Sequence, residues 1–215
     1  MKKIIILGAS GSIATLVEKI LIDNNEVEMT LLARHPERIA DDIRNDSRVK
    51  IVVGDVVKDY GTLVQAIKGQ DVVYANLYGA NLGKQGQSVV KAMNEAKVKR
   101  IVWISANGIY GEVPGKYGQW NQMMLGDTLT AYAAGAKAVE QSKLDYTIIR
   151  PAWFSDEDTI SYELTQKGQQ FKGTEVSRIS VASYISSLLL DSDQVIKQSI
   201  GINKPNTDGS KPSFY

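Results

Sequence analysis

Two glycines and an alanine, spaced three residues apart, are the first residues of the sequence whose pattern suggests chemistry. They are Gly8, Gly11 and Ala14 in the stretch ILGASGSIA, directly after the apolar run Ile4–Leu7. A glycine at a strand end lets the chain turn sharply, and a second one lets a pyrophosphate approach the backbone without meeting a Cβ atom. The spacing alone also fits an ordinary strand-to-helix turn, so the neighbouring elements decide its meaning.

The residues after the glycines have the spacing of a helix. Apolar side chains recur on one face at Ile13, Leu16, Val17, Ile20 and Leu21. The helix therefore begins inside the glycine stretch, where its unpaired N–H groups and positive dipole end stabilise phosphate charge. The small Ala14 lets the helix lie close to the strand, and two serine hydroxyls add donors. The predicted phosphate-binding residues are Gly8, Ser10, Gly11, Ser12 and Ile13.

The end of the second predicted strand indicates which dinucleotide is bound. An acidic residue there accepts hydrogen bonds from the ribose hydroxyls of NAD. Here the chain reads VEMTLLARHPERI, with Arg34 at that position and no carboxylate before Glu37. A guanidinium suits the 2′-phosphate of NADP, so NADP(H) is favoured over NAD(H). The alternative for Arg34 is a solvated surface charge, and His35, the only histidine, supports no catalytic role.

Short β-branched runs alternate with segments of helical spacing along the chain. The predicted strands are Lys3–Leu7, Val27–Leu32, Val49–Val53, Asp71–Ala75, Arg100–Ser105 and Tyr146–Arg150. This alternation predicts one α/β domain over residues 1–215, a Rossmann-type doubly wound parallel sheet with helices on both faces. Helices are also expected at Ala131–Ser142 and at Val181–Leu190, the latter with Ser180 as N-cap. The polar tail Asn203–Tyr215 is expected to pack loosely.

Two segments interrupt the regular pattern and are predicted to be loops on the substrate side of the sheet. They are Ala106–Asp127, which contains five glycines, and Pro151–Glu175. Five aromatic residues in them are candidates for the apolar walls of a pocket: Tyr110, Tyr117, Trp120, Trp153 and Phe154. The simpler interpretation is that each ring packs its loop onto the sheet.

Composition excludes several classes of partner. The 25 Lys and Arg residues balance 24 Asp and Glu residues, so nucleic acid and anionic lipid are not expected as partners. There is no cysteine, which excludes disulfides and thiolate chemistry and is typical of a reducing cytoplasm. The apolar run after Lys2 and Lys3 stops at Gly8, too early for a signal peptide, and no other stretch is long enough to cross a membrane.

The sequence resembles the atypical short-chain dehydrogenases/reductases, in the compact NAD(P)-binding group that includes NmrA-like proteins and the flavin/biliverdin reductases. The resemblance covers about Lys3 to Leu190 and includes the G-x-x-G-x-x-A spacing. Four further stretches carry it: GDVVKD at Gly54–Asp59, YANL at Tyr74–Leu77, VKRIVWISANGIYGE at Val98–Glu112 and LDYTIIRPAWF at Leu144–Phe154. These motifs are specific to fold and cofactor, and less so to the reaction.

The resemblance implies roles for residues at the ends of the predicted strands. Asp55 and Val56 are implied to lie along the adenine, Asn76 and Leu77 to flank the ribose or nicotinamide half, and Pro151 and Trp153 to lie near the nicotinamide. Ser105 matches the position of a polar active-site residue, although a serine there also serves to close a strand end. In the glycine-rich loop just beyond, Tyr110 is our first choice from the sequence for a proton donor.

One departure from the family pattern bears on catalysis. Alcohol–ketone enzymes of this superfamily carry Tyr-x-x-x-Lys, and no tyrosine here has a lysine four residues later. Tyr132 is followed by Ala136, with Lys137 one place further, which on a helix rotates the ammonium by about 100°. Carbonyl reduction by the usual tyrosine is therefore not expected. Hydride transfer to a flavin or quinone asks less of the protein, which must mainly align two rings and exclude water.

The leading hypothesis is an NADP(H)-dependent oxidoreductase that transfers hydride to a small planar acceptor, namely a flavin, a quinone or a reactive carbonyl. The alternative is a non-catalytic NADP(H)-binding protein of NmrA-like type that senses redox state. A nucleotide-sugar epimerase is a weaker third hypothesis, because little chain follows the sixth predicted strand. The expected partner is a small-molecule substrate, and the sequence leaves monomer and homodimer equally open.

Overall fold

The computed structural model describes residues 1–215. The strands are β1 (Lys2–Leu7), β2 (Val27–Ala33), β3 (Val49–Val53), β4 (Val72–Ala75), β5 (Arg100–Ile104), β6 (Asp145–Pro151), β7 (Trp153–Ser155), β8 (Glu163–Gln166), β9 (Glu175–Ser177) and β10 (Gln198–Asn203). The helices are α1 (Ser12–Ile22), α2 (Asp41–Arg44), α3 (Tyr60–Ile67), α4 (Leu82–Ala96), α5 (Gly115–Leu125), α6 (Asp127–Glu140) and α7 (Arg178–Leu190), with a 3₁₀ turn at Pro36–Arg38.

Eight of the strands form one sheet in the order β3-β2-β1-β4-β5-β6-β10-β8. All neighbours pair in parallel except β8, which runs antiparallel to β10. The strand order reverses between β1 and β4, and ligands of doubly wound sheets bind beyond the carboxyl ends of the strands at that point. The predicted Rossmann-type α/β fold is confirmed.

Helices cover both faces of the sheet, as the apolar central strands require. In β1, Ile4 and Ile6 point into one buried cluster, while Ile5 and Leu7 point into the other. The first cluster includes residues of α1 and α7, and the second includes residues of α3, α4 and α6. Because parallel strands are buried on both faces, they appear in the sequence as continuous apolar runs rather than alternating ones.

The six predicted strands are all present, each within one residue of its predicted ends. Strands β7, β8, β9 and β10 were not predicted. The predicted helix at Ala131–Ser142 is α6, which runs from Asp127 to Glu140. No helix is both long and apolar enough to span a bilayer.

Three expectations about local structure are wrong. Ala106–Asp127 is not a continuous loop, because Gly115–Leu125 forms α5; its glycines lowered the apparent helix propensity of the segment. The second segment, Pro151–Glu175, contains the short strands β7 and β8. Helix α7 begins at Arg178, and Ser177 is its N-cap, with a side-chain oxygen that accepts a hydrogen bond from the N–H of Ser180.

The polar tail is also better packed than its composition suggested. The N–H and hydroxyl of Ser213 donate to the buried carboxylate of Glu175, at 2.6 and 3.1 Å. The N–H of Thr174 donates to the carbonyl of Thr207 at 3.1 Å, and the ring of Tyr215 contacts two tryptophans. Long-range hydrogen bonds and aromatic contacts, which composition does not reveal, hold the tail on the domain.

Candidate functional site

A groove of about 350 Å³ crosses the carboxyl ends of β2, β1 and β4. It lies where the strand order reverses, the location that the fold predicts for a ligand. Its lining brings together eight residues predicted to contact a dinucleotide: Gly8, Ser10, Gly11, Arg34, Asp55, Val56, Asn76 and Leu77. Ser12 and Ile13 are not in this lining but form the first turn of α1, next to Gly11.

The two glycines are needed for the close approach of the β1–α1 turn to β4. Gly8 has a φ of +78°, and a Cβ atom there would lie 2.3 Å from the carbonyl oxygen of Asn76. A Cβ atom on Gly11 would lie 2.2 Å from Nδ2 of the Asn76 side chain. Gly11 therefore leaves space for the Asn76 side chain as well as for a ligand, and the first of these roles was not evident from the sequence.

The N-terminus of α1 is free of protein groups that would compete with an anion. Gly11 is the N-cap, no side chain caps the helix, and no acidic residue lies in its first turn. The Thr15 hydroxyl donates backward to the Gly11 carbonyl at 3.1 Å and leaves the N–H groups of the first turn unaffected. An uncapped helix start beside a glycine turn fits a pyrophosphate, since backbone N–H groups and the dipole both favour negative charge.

Basic side chains line the end of the groove beyond β2. Arg34, His35 and Arg38 are all in its lining. The Arg34 side chain is 64% exposed, and its guanidinium lies 3.8 Å from a carboxylate oxygen of Asp55. Glu37, the first acidic residue after the strand, contacts the ring of His35 at 3.1 Å and is not in the lining. Two guanidinium groups against one carboxylate make this end of the groove suitable for a phosphate.

Asp55 remains ionised within this arrangement. Partial burial alone would raise the pKa of Asp55, but hydrogen bonds from the N–H groups of Val57 and Lys58, together with the charge of Arg34, lower it below the usual value. An exposed ion pair at 3.8 Å contributes little to stability. Arg34 therefore loses little when it turns from Asp55 to an incoming anion.

Asn76 joins the glycine turn to the protein interior. Its Nδ2 donates to the Gly8 carbonyl at 3.4 Å, and its Oδ1 accepts from the hydroxyl of Tyr74 at 3.3 Å. Behind Tyr74 lies Glu18 of α1, which is fully buried and has no hydrogen-bond partner. Burial raises the pKa of Glu18 to about 8, and burial together with Glu18 raises the pKa of Tyr74. Glu18 is therefore an uncharged carboxylic acid at neutral pH.

Three groove residues after β4 escaped the sequence analysis. Tyr78, Asn81 and Gln85 line the groove on the side of α4. The Gln85 amide donates to the carbonyl of Tyr78 at 3.1 Å and to the side-chain oxygen of Asn81 at 2.6 Å. Their place directly after β4 in the stretch YGANLGKQ was the signal available in the sequence. Tyr78 is 73% exposed at this end of the groove.

Ser105 lies at the carboxyl end of β5 and is buried. Its N–H donates to the Ile149 carbonyl at 2.7 Å, and its hydroxyl donates to the Tyr132 carbonyl at 3.5 Å. Burial, and to a smaller extent the phenol of Tyr78, raises the pKa of Tyr132. Neither residue is in the lining of the groove, and Ser105 lies one strand beyond β4, directly after β5.

In α6, alanine stands at the position where a Tyr-x-x-x-Lys motif starting at Tyr132 would have its lysine. Ala136, four residues after Tyr132, is fully buried. Lys137 lies instead in an open groove between α4 and α6, among residues that include Gly83 and Ala134. The ammonium group therefore lies on a different side of α6 from the buried Ala136.

The structure does not bring Tyr110 into the groove. Its hydroxyl lies 3.2 Å from both Glu140 Oε1 and Ser199 Oγ. The Lys167 ammonium sits 4.2 Å from the ring centroid, and burial raises the pKa of Tyr110 to about 12. This phenol belongs to a polar network between α6 and β10.

Three of the five aromatic residues in the irregular segments form one cluster. The Trp120 and Trp153 rings lie 4.8 Å apart between centroids, and Tyr117 stacks on Trp120 at 6.2 Å. The Trp153 indole N–H donates to the Asn121 side chain at 2.7 Å. Phe154 instead lies against the Arg178 guanidinium, at 5.4 Å from the ring centroid.

The cluster stands at the same edge of the sheet as the groove. Trp153 comes two residues after Pro151, the last residue of β6, and β6 is the second strand beyond β4. At about 4.8 Å between neighbouring strands, this separation is about 10 Å. A ligand that extends from the basic end of the groove past β1 and β4 points toward β5 and β6.

Residues 8–192 match the sequence model of the NAD(P)H-binding family. The chain belongs to this family. The match includes the glycine turn, all the residues that line the groove, and the elements from α1 to α7. The resemblance to NAD(P)-binding short-chain dehydrogenases/reductases is confirmed by solved structures of the same fold.

The family member described here is similar over its whole length to a Rossmann-fold NAD(P)-binding family protein from Shigella flexneri. The two are 41% identical, the match covers 100% of both chains, and the TM-score is 0.85. A wide-type short-chain dehydrogenase/reductase from Veillonella parvula, solved in complex with NADP, is 31% identical over 99% of each chain, with a TM-score of 0.93.

More distant similarity extends to ChuY, an anaerobillin reductase from Escherichia coli O157:H7. It is 18% identical over 97% of this chain and 100% of ChuY, with a TM-score of 0.79, which shows a shared fold. A comparison with proteins of curated function finds no match.

Proposed function

We propose that this NAD(P)H-binding protein is an NADPH-dependent reductase that transfers hydride to a small planar acceptor. The observation that carries the proposal is the arrangement along one edge of the sheet. A basic, glycine-lined groove lies at the ends of β2, β1 and β4, and a cluster of aromatic rings follows the end of β6, two strands beyond β4. Such an edge suits a reaction in which one ring system transfers hydride to another.

The preference for NADP(H) is supported by the basic end of the groove. Arg34 is exposed and only loosely paired, and Arg38 lines the same end. A planar guanidinium donates two parallel hydrogen bonds to a phosphate, whereas the ribose hydroxyls of NAD call for a carboxylate acceptor. The NADP complex of the Veillonella parvula relative supports the same choice.

The remaining residues bind and orient the cofactor. When bound, the cofactor supplies the hydride chemistry. Gly8, Ser10, Gly11 and the first turn of α1 hold its phosphates. The other proposed contacts are Asp55 and Val56 at the adenine, Asn76 and Leu77 near the ribose or nicotinamide half, and Pro151 and Trp153 beside the nicotinamide.

Ser105 is the proposed polar group at the reacting centre, and the proton donor is reassigned. Tyr110, chosen from the sequence, would have to leave Glu140 and Ser199 before it met a substrate. Tyr132 is proposed in its place, because its carbonyl accepts a hydrogen bond from the Ser105 hydroxyl directly after β5, the strand next to β4. Without a neighbouring lysine Tyr132 stays protonated at neutral pH, which suits a donor to a flavin or quinone better than a base for alcohol oxidation.

The test combines binding with turnover on the purified protein. Calorimetric titration with NADPH and NADH measures the preference, and the loss of NADPH absorbance in the presence of FMN, menadione or methylglyoxal measures turnover. We expect tighter binding of NADPH than NADH and turnover with FMN or menadione. Tight NADPH binding with no turnover on any acceptor would contradict the reductase.

The second candidate is a regulatory protein that binds NADP(H) and reports redox state. The observation in its favour is the buried Ala136 where a catalytic lysine would stand. Such a protein would bind both NADPH and NADP⁺, and its affinity for a partner would differ between the two bound states. It would not reduce any added acceptor. Titrations with NADPH and NADP⁺ test whether both forms bind, and the turnover assay separates this candidate from the reductase.

A further inference from the structure

The segment Ser213–Tyr215 is held against the aromatic cluster by a buried acid. Glu175, only 4% exposed, accepts hydrogen bonds from both the N–H and the hydroxyl of Ser213. The N–H of Tyr215 then donates to the Pro212 carbonyl at 3.2 Å and turns the chain. Both oxygens of this buried carboxylate accept hydrogen bonds from one residue of the tail. These charge-assisted hydrogen bonds hold the tail in a defined position.

This anchoring places the Tyr215 ring on both tryptophans of the cluster. Its centroid lies 5.1 Å from that of Trp120 and 5.3 Å from that of Trp153, with interplanar angles of 65° and 83°. Edge-to-face packing at these distances is a favourable aromatic geometry. Tyr215 as a residue nevertheless remains 50% exposed, so part of its surface is free to contact a ligand.

Trp153 is also held by α5 and, through it, by the segment that follows β5. The buried amide of Asn121 accepts from the Trp153 indole at 2.7 Å and donates to the Asn107 carbonyl at 3.2 Å. Three segments that are far apart in the sequence therefore meet at one place: α5, the start of β7 and the tail. Their common feature is an aromatic ring at the carboxyl edge of the sheet.

We propose that Trp120, Trp153 and Tyr215 form the wall of the acceptor site, with Tyr215 as a specificity-determining residue and Glu175 as the residue that positions it. The inference rests on the proposed reductase function and narrows its acceptor to an extended planar ring system, such as an isoalloxazine or a naphthoquinone. Such a ring gains from aromatic contact, whereas a small aliphatic carbonyl presents no flat surface to it.

The experiment measures binding of FMN to the complex of the protein with NADP⁺, by calorimetry, so that it does not depend on turnover. Tyr215→Ala should raise the FMN dissociation constant about fivefold and leave that of NADP⁺ unchanged. Tyr215→Phe, which keeps the ring, should recover most of the lost affinity. Tyr60→Ala, which removes an aromatic residue of α3 far from the cluster, is the matched control and should change neither constant.

The positioning role of Glu175 is tested by a double-mutant cycle with Tyr215. Glu175→Gln should raise the FMN dissociation constant alone, shift tryptophan emission to longer wavelength, and add no further loss in the Tyr215→Ala background. A merely structural Glu175 would instead weaken NADP⁺ binding as well, and its effect would add to that of Tyr215→Ala. If Tyr215→Ala loses NADP⁺ binding through misfolding, Tyr215→Leu replaces it under the same criteria.

The outcomes separate this inference from the proposed function. An FMN affinity that is unchanged or tighter in Tyr215→Ala would overturn the inference, as would a wild-type complex that binds neither FMN nor menadione. If FMN binding depends on Tyr215 but neither FMN nor menadione oxidises NADPH, the result would support the aromatic wall as a binding site and contradict the proposed reductase function.

Discussion

At the scale of single residues, Arg34 carries the choice of cofactor. It is exposed and lies 3.8 Å from its one carboxylate partner. Arg34→Glu should weaken NADPH binding about 10- to 100-fold, the range of a charge-assisted hydrogen bond, and change NADH binding much less. Calorimetric titration of both nucleotides measures the ratio. The control is Arg44→Glu in α2, where the same charge change is made outside the groove; an equal loss for NADPH and NADH in Arg34→Glu would exclude a 2′-phosphate contact.

Gly11 tests the phosphate turn at the same scale. A side chain there would meet the Asn76 amide and stand at the start of α1, so Gly11→Val should abolish binding of both nucleotides. Circular dichroism should show the fold largely retained, because the φ of −80° is accessible to any residue. Gly61→Ala in α3 is the control, since a Cβ atom there meets nothing within 4 Å. Undiminished nucleotide affinity in Gly11→Val would refute the turn as the phosphate site.

At the scale of elements, α1 contains a pH-sensitive group in its buried face. Glu18 has a pKa of about 8 in the folded protein, well above the ordinary value of 4.5, because burial disfavours its charge. The folded state therefore binds more protons than the unfolded state between these pH values, and stability should fall as pH rises from about 4.5 to 8. Glu18→Gln should remove this slope and be more stable than the wild type at pH 9 by a few kcal/mol.

Urea unfolding of wild type, Glu18→Gln and the exposed control Glu26→Gln at pH 5.5 and 9 measures this effect. The control should follow the wild type at both values. The free energy of unfolding of the wild type should fall more between pH 5.5 and pH 9 than that of Glu18→Gln. An equal change in the two proteins would show that the fold does not hold Glu18 uncharged.

The elements also show what local sequence can predict. Strands β1 to β6 and helix α1 were found from apolar runs and helical spacing, because buried parallel strands and amphipathic helices leave strong periodic signals. Helix α5 was missed because glycines lower helix propensity, and three-residue strands such as β7 and β9 are too short for a periodic pattern. Ser177 rather than Ser180 caps α7 because tertiary contacts with the Thr159 carbonyl fix both hydroxyls.

At the scale of the whole molecule, the parallel sheet gathers the site. The strand ends that carry Gly8, Arg34, Asp55 and Asn76 meet at one edge, so the groove was largely predictable from the motif and the fold. The position of Tyr110 was not predictable, because its hydroxyl is held by hydrogen bonds with Glu140 and Ser199, which are distant in the sequence. The contact of Tyr215 with Trp120 and Trp153 was hidden for the same reason.

Ligand binding should stabilise the whole domain in proportion to affinity. A nucleotide at 100 times its dissociation constant adds about 2.7 kcal/mol to the free energy of unfolding. For a domain of this size the midpoint should rise by roughly 5–10 °C with NADPH, and by clearly less with NADH at the same concentration. Thermal scans monitored by circular dichroism give both values. Equal shifts would remove the support for an NADP(H) preference.

The most direct test of the central claim is the single-turnover oxidation of NADPH by FMN, followed by stopped-flow absorbance with the protein in excess over NADPH. We predict that wild-type protein accelerates the reaction well above the rate in buffer, and that Gly11→Val, which cannot hold the phosphates, reduces it to that rate. An identical rate with wild type, Gly11→Val and buffer, at a concentration at which the wild type binds all the NADPH, would contradict the reductase and favour the sensor.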